Sequence, residues 1–364
     1  MFVLDAYEGI EAKRFIDLTA GELTHYTDTN VAALAALIES FRPDAIITGH
    51  EVMGPYIARL ACQRMGTEYV AKLHGSGLEY AVKLQQRYQR FASEGLMTAR
   101  FVVGGSRYMI DAAAAVLPGW RERARVVNPG CDVDLFRPLG RRATAKPIVG
   151  YVGKLIASKG VDHLLAALPL LEEAIEVIIV GFGGDEKQLH LLWDALQAGD
   201  REGALAMAAG GDIGAHRTLR RFLEGVRGDY FERAAAIEVK WTGRLDHGPL
   251  SKVLPTFHLL VAPSVVAEAF GMVAAEAASC AVLPVVPRHS GIGEAGARLE
   301  ERLDLPGLLT FDPADPISGI AGAVNRLLAM PESDRRAKGA AAARVARELW
   351  SWEVVADKLL ELAC

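Results

Sequence analysis

The chain has 364 residues, 51% hydrophobic and 23% charged, with a formal net charge of −5. That length favours two domains over a single core, and the composition is that of a folded soluble enzyme rather than a disordered chain. The mildly acidic balance offers no general attraction to nucleic acid, so no nucleic-acid partner is expected.

Short apolar runs alternate with longer helical patterns, the signature of parallel α/β architecture. In the first half, DAIITGH (44–50) reads as a strand and GPYIARLACQRMG as a helix. EYVAKLHG (68–75) is a second strand, LEYAVKLQQRYQRFASEG a helix, and ARFVVGG and ARVVNPG two further strands. A polar, basic stretch without periodicity, RPLGRRATAKP, then marks a linker. The alternation restarts with the strand PIVGYVG, the helix GVDHLLAALPLLEE and the strand IEVIIVGFG. A long helical segment with glycine interruptions fills 185–236. AIEVKWTG, LLVAPS and VLPVVP read as strands, separated by the helices GPLSKVLPTF and GMVAAEAASC. Two such α/β domains place ligands at the carboxyl ends of their strands.

The four cysteines (Cys62, Cys131, Cys280, Cys364) form no Cys-x-x-Cys pair, and the nine histidines form no His-x-x-x-His pair. Neither a disulfide framework nor a sequence-local metal site is expected, and a reducing compartment fits. No apolar run approaches the roughly 18 residues of a membrane span, and the opening MFVLDAYEGIEAKRF is not a signal peptide. A cytoplasmic protein is the expectation.

Four places carry chemistry. In YVGKLIASKGVDHLL, Lys154 and Lys159 flank a strand-to-helix turn, and two ammonium groups beside a helix start suit a diphosphate. Ordinary solvated lysines are the alternative there. In VAEAFGMVAAEA, a helix begins near Gly271, which lets backbone approach a ligand closely. Glu268 precedes that helix and Glu276 lies inside it, so the two acids meet different heights of a ligand. Carboxylates accept from paired hydroxyls, which points to sugar or ribose, and the apolar flanks argue against a solvated decoration. In KLHGSGLEY, His74 stands at a strand's carboxyl end, where a lone histidine is more often structural. GFGGDEK hints at a phosphate loop but lacks the dinucleotide-fingerprint spacing.

The order of these elements resembles glycosyltransferase family 4, carried by YVGKLIASKG, VIIVGFGGDEKQL, WTGRLDHGPLSKVLPTFHLLVAPS and EAFGMVAAEAASCAVLPVVPRHSGIGE. RPDAIITGH, KLHGSG, VVNPGCDVDLFRP and the tail LWSWEVVADKLLEL extend the resemblance over most of the chain. It implies an α/β protein of the GT-B fold, with two Rossmann-like parallel-sheet domains facing each other across a cleft. The implied domains are 1–138, acceptor-side and incomplete at its start; a linker at 139–147; 148–345, nucleotide-sugar-binding, with a helical insertion at about 186–236; and 346–364, a helix crossing back to the first domain. The family's first strand and Gly-rich loop have no counterpart in the 41 residues before Arg42, so an unpaired sheet edge is expected.

The resemblance also implies roles. Glu276 would hold the ribose hydroxyls, and Glu268 the donor sugar, helped by the N–H groups of Phe270, Gly271 and Met272. Lys154 and Lys159 would bind the diphosphate, His74 would approach the donor sugar from the first domain, and Gly153 and Arg244 would complete the donor site. The implied reaction is metal-independent transfer of a hexose from a UDP- or GDP-sugar to an acceptor hydroxyl with retention, and no cofactor is expected. The acceptor would be a glycan, a lipid-linked sugar or a small molecule. Arginines at 87, 90, 121, 123 and 125 could meet an anionic membrane peripherally, although a solvated face is simpler. A catalytically impaired sugar-nucleotide binder or fragment, and an epimerase of the same architecture, are the alternatives.

Overall fold

The computed structural model describes residues 2–3, 12–140, 145–208 and 214–364. Part of the expected linker, at 141–144, and part of the expected insertion, at 209–213, lie outside them. The chain divides into two compact units, Met1–Pro129 with Glu353–Cys364, and Gly130–Trp352.

The first unit opens with a two-residue parallel ladder, β1 (Phe2–Val3) on β2 (Lys13–Arg14), and a 22-residue helix, α1 (Ala20–Phe41). The sequence reading did not find α1. Its signal is the capping box at Thr19-Ala-Gly-Glu22, where the Thr19 side chain accepts from the Glu22 N–H (3.2 Å) and Glu22 accepts from the Thr19 N–H (2.8 Å). Next come β3 (Ile47–Gly49), α2 (Gly54–Met65), β4 (Val70–Lys72), α3 (Gln86–Thr98), β5 (Phe101–Gly104), α4 (Arg107–Val116) and β6 (Ala124–Val126). The four strands β3 to β6 form one parallel sheet in sequence order. Among the described residues β3 pairs with β4 alone. The segment read as one helix after His74 is broken: Leu78–Val82 is a wide turn, and α3 starts after extended Gln85, whose side chain donates to the Ile16 carbonyl (2.8 Å).

The five arginines considered for a membrane face all make contacts within this unit. Arg87 donates to the carbonyls of Leu18 and Ile16 (2.8 and 3.2 Å), and Arg123 to those of Met97 and Ala99. Arg90 and Arg121 pair with Glu94 and Asp111, and Arg125 lies over the Phe101 ring (4.8 Å) while donating to the Ala124 carbonyl (2.8 Å).

The second unit holds β7 (Ile148–Val152), α5 (Val161–Ala167), β8 (Glu176–Val180), α6 (Glu186–Ala198), α7 (Arg201–Met207), α8 (Gly214–Gly225), α9 (Tyr230–Ala235) and β9 (Val239–Trp241). It continues with α10 (His247–Val253), β10 (Leu259–Val261), α11 (Met272–Ser279), β11 (Leu283–Pro287), α12 (Ser290–Leu303), β12 (Thr310–Phe311), α13 (Pro316–Leu328) and α14 (Glu332–Trp350). The tail read as one helix is two, because Ser351 is extended and breaks α14 from α15 (Trp352–Ala363). Val355 of α15 packs with Val70, Val103 and Val127 in the first unit.

Among the described residues the six strands of this unit are all parallel, in the order β12-β11-β10-β7-β8-β9. Successive strand residues enter opposite cores, as the two-residue period demands: Val149, Tyr151, Leu259, Val261 and Val285 on one face, Ile148, Leu260 and Val286 on the other. A sheet covered on both faces has near-continuous apolar strands, which is why VIIV and LLV were legible as strands. The unit's first strand is central: the chain runs outward through β8 and β9, then returns to build β10, β11 and β12 on the other side. The loops leaving β7 and β10 therefore diverge at a topological switch point, where open α/β sheets bind ligands.

Candidate functional site

The loop after β7 turns through a short helical turn, Ala157–Lys159, into α5. Gly160 closes that turn with φ +68, and a Cβ there would lie 2.1 Å from the Pro263 carbonyl oxygen. Glycine therefore lets the lysine turn lie directly on the loop after β10. That contact is stitched by the Val265 N–H donating to the Ser158 carbonyl (2.9 Å). The Ala157 N–H donates to the Asp185 carboxylate (2.6 Å), anchoring the other side of the turn.

The loop leading to α11 is held just as tightly. The Glu268 N–H donates to Ser290 Oγ (3.0 Å), the Gly291 N–H donates to the Glu268 carbonyl (2.9 Å), and His289 Nε2 lies 3.0 Å from the Ser264 carbonyl. Ser290 and His289 were not singled out as site residues by the sequence reading, although RHSGIGE carried them. Gly271 caps α11 with φ +89, and a Cβ there would come within 2.5 Å of Ile292. The first N–H groups of α11 have no partners within the helix, so its start favours an anion.

Between these loops Lys159 Nζ and Glu268 Oε1 stand 2.8 Å apart, with side chains 31% and 18% exposed. The ammonium and the carboxylate, 109 positions apart in sequence, satisfy one another. Lys154 is exposed, and its backbone carbonyl accepts from the Tyr151 hydroxyl (2.8 Å). The Phe270 side chain is buried against Trp350 (ring centroids 5.5 Å), which leaves its backbone N–H as the group it can offer; Met272 is half-buried beside it.

Glu276 lies half-buried in α11, and burial raises its carboxyl pKa to about 7. Cys131 is close enough to feel it: burial first, then the Glu276 charge, pushes that thiol up to about 12. A carboxyl poised near neutrality in an enclosed place marks a candidate functional group. A cavity of about 560 Å³ opens at the ends of β7, β8 and β9, lined by Gly153, Gly181, Phe182, Arg244 and Asp246 among others. Arg244 lies over the exposed Phe182 ring (5.2 Å) and pairs with Asp246 (3.2 Å).

The structure thus brings Lys159 to Glu268, and Gly153 to Arg244. His74 belongs to the first unit, exposed, two residues beyond β4, with its ring against His50 (centroids 4.4 Å). Among the described residues no group of three or more His, Cys, Asp or Glu is arranged to hold a metal ion, and no helix is long and apolar enough to cross a membrane.

Residues 133–202 and 232–344 match the family described as "Glycosyl transferases group 1", just over half of the chain. The chain belongs to that glycosyltransferase family. A second match, to the "Glycosyl transferase 4-like domain", covers residues 14–130. The group 1 match omits 203–231, the stretch that contains α8. Among curated relatives, the chain is 26% identical over 352 residues to a D-inositol 3-phosphate glycosyltransferase of Catenulispora acidiphila, covering 88% of this chain and 71% of that protein. It is 28% identical to one from Xylanimonas cellulosilytica, over 66% of this chain but only 51% of the relative, so the chain spans about half of that protein's length. An alpha-maltose-1-phosphate synthase of Mycobacterium tuberculosis is 25% identical over 73% of this chain and 63% of its own. Solved GT-B glycosyltransferases share the fold: sucrose-phosphate synthase of Thermosynechococcus elongatus (TM-score 0.61, 18% identity, 98% of this chain, 81% of that one). Anabaena HepE, solved with UDP and glucose, is another (TM-score 0.62, 16% identity, 94% and 82%).

Proposed function

We propose that this group 1 glycosyltransferase moves a hexose from a nucleotide-diphosphate sugar, UDP- or GDP-linked, to an acceptor hydroxyl, with retention and without a metal or other cofactor. The observation that carries the reading is the Lys159–Glu268 pair (2.8 Å) beside the glycine-capped start of α11. In this structure each group covers the other's charge. With donor bound, Lys159 passes to the diphosphate, and Glu268 is released to accept from the sugar hydroxyls.

The bond from the anomeric carbon to the diphosphate oxygen breaks while Lys159, Lys154 and the N–H groups of Phe270, Gly271 and Met272 neutralise the leaving charge. The acceptor hydroxyl attacks on the face the phosphate leaves, and its proton passes to that phosphate. This differs from the two-carboxylate route of glycosidases. Glu276 receives the ribose hydroxyls, the cavity edged by Gly153 and Arg244 receives the base end, and His74 is assigned to the donor sugar by the family resemblance. The acceptor is a glycan, a lipid-linked sugar or a small molecule. The names of several relatives contain a phosphorylated sugar or inositol, so phosphorylated small molecules head the acceptor screen. A cytoplasmic site of action is part of the reading, with membrane contact, if any, peripheral.

Thermal unfolding against UDP, GDP, ADP and their sugar conjugates tests the donor assignment. A ligand at 100 times its dissociation constant adds about 2.7 kcal/mol, several degrees in midpoint. A response to one base names the donor class. A cooperatively folding sample that responds to none overturns the reading.

A further inference from the structure

In the first unit, the segment between β3 and α2 carries a carboxylate that the proposed chemistry does not use. Glu51 is fully buried (0% exposed) in a place that raises its pKa through burial. It faces no ion-pair partner among the described residues. Instead Oε1 accepts from the N–H groups of His74 (3.1 Å) and Gly75 (2.8 Å), and Oε2 accepts from the Leu78 N–H (3.2 Å). Burying a carboxylate costs several kcal/mol unless its oxygens are hydrogen-bonded, so a chain retains one where its bonds hold something in place.

What these bonds hold is the turn bearing His74. A Cβ on Gly77 would stand 2.5 Å from Glu51 Oε2, so the turn closes over the carboxylate only with glycine there. A Cβ on Gly49 would stand 3.1 Å from His74 Nε2, so the ring lies against bare backbone on one side. On another it meets the ring of His50, a residue at φ +66, in the left-handed region that side chains rarely adopt. His50 Nδ1 is in turn 3.3 Å from Ser76 Oγ.

We propose that Glu51 is the positioning residue of His74. Its carboxylate solvates the backbone of the His74–Leu78 turn and so presents the imidazole in one orientation, stacked on His50. The inference rests on the assignment of His74 to the donor sugar for its purpose, but not for its geometry. Although His74 reaches the surface, the Gly49 backbone and the His50 ring partly enclose its imidazole, and that enclosure, with the charges of His50 and Lys72, lowers the His74 pKa to about 4. The imidazole is then neutral at neutral pH, fitted to exchange hydrogen bonds with hydroxyls and not to deliver a proton.

The test begins with the unaltered chain. A nuclear magnetic resonance titration should show His74 changing charge near pH 4, with slow hydrogen exchange at the His74, Gly75 and Leu78 amides. Glu51→Gln keeps an acceptor for His74 and Gly75 but turns an NH₂ group toward the Leu78 N–H, setting donor against donor. In that variant the His74 midpoint should move toward 6.5, the amide protection should fall, and kcat should drop about tenfold with the donor KM unchanged. A wild-type His74 that titrates near 6.5 overturns the inference, as does a Glu51→Gln variant that loses only thermal stability while His74 titrates as before. Titration and exchange need no turnover. A chain without transferase activity would therefore defeat the functional reading and leave this one still open to test.

Discussion

Two buried or half-buried glutamates define the two units, and they are stabilised in opposite ways. Glu268 is met by a side chain, Lys159, on a neighbouring loop. Glu51 is met by three backbone N–H groups of one turn. A side-chain ion pair can be exchanged, because an ammonium on a four-carbon stem swings to a better anion at little cost. Backbone donors cannot leave without unmaking the turn. The first arrangement suits a group that hands its partner over to substrate, and the second suits a group that holds a shape.

That contrast can be broken experimentally, most forcefully at Lys159. Lys159→Ala should reduce turnover on the order of 10²-fold or more, since it removes charge aimed at the leaving diphosphate. Single-turnover kinetics within twofold of wild type would remove the exchange argument. The remaining Glu268 should still fold, because it is partly exposed and water can solvate it.

A smaller effect is expected from Gly160→Ala. The new Cβ meets the Pro263 carbonyl oxygen at 2.1 Å and the backbone sits at φ +68, so the Lys159 turn must lift from the loop after β10. Strain of this kind costs about 2 kcal/mol, readable as a lowered denaturant midpoint, and nucleotide affinity should weaken with it. Wild-type stability in this variant would show that the two loops are not pressed together.

The subtlest expectation concerns Glu276. Its folded pKa, about 7, lies above the ordinary carboxyl value of 4.5, so between these pH values the folded state binds more protons than the unfolded one. Stability should therefore fall as pH rises from 4.5 to 7, by an amount on the order of 3 kcal/mol, and level off above. Nucleotide affinity should run the other way, rising through pH 7 as the ionised carboxylate becomes the better acceptor for ribose. Glu276→Gln should flatten both profiles. Profiles that persist in the variant would assign the titration to another group.

Much of the second unit was legible because its strands are covered on both faces and its loops carry charge in apolar surroundings. VIIV, LLV and the carboxylates flanking Gly271 needed no tertiary information to stand out. The first unit was less legible for a physical reason. α1 is mostly solvent-facing, so its apolar spacing is weak and only the Thr19–Glu22 cap marks it. Glu51 looked like any loop acid, since no local pattern says that three amides 23 to 27 positions downstream will close around it. His289 and Ser290 were hidden similarly, acting through hydrogen bonds to a loop of distant sequence.

The sequence by itself determined the α/β class, the parallel strands of the second unit and the residue types of the proposed donor site, because period, glycine and charge are local properties. Only the tertiary structure decided that Lys159 pairs with Glu268 and that Glu276 sits where burial raises its pKa. It also decided that the Glu51 carboxylate meets the amides of the His74–Leu78 turn. Each of these depends on which loops a sheet order brings together. The central position of β7 sends two chain segments 109 positions apart to one switch point, and no local pattern encodes that meeting.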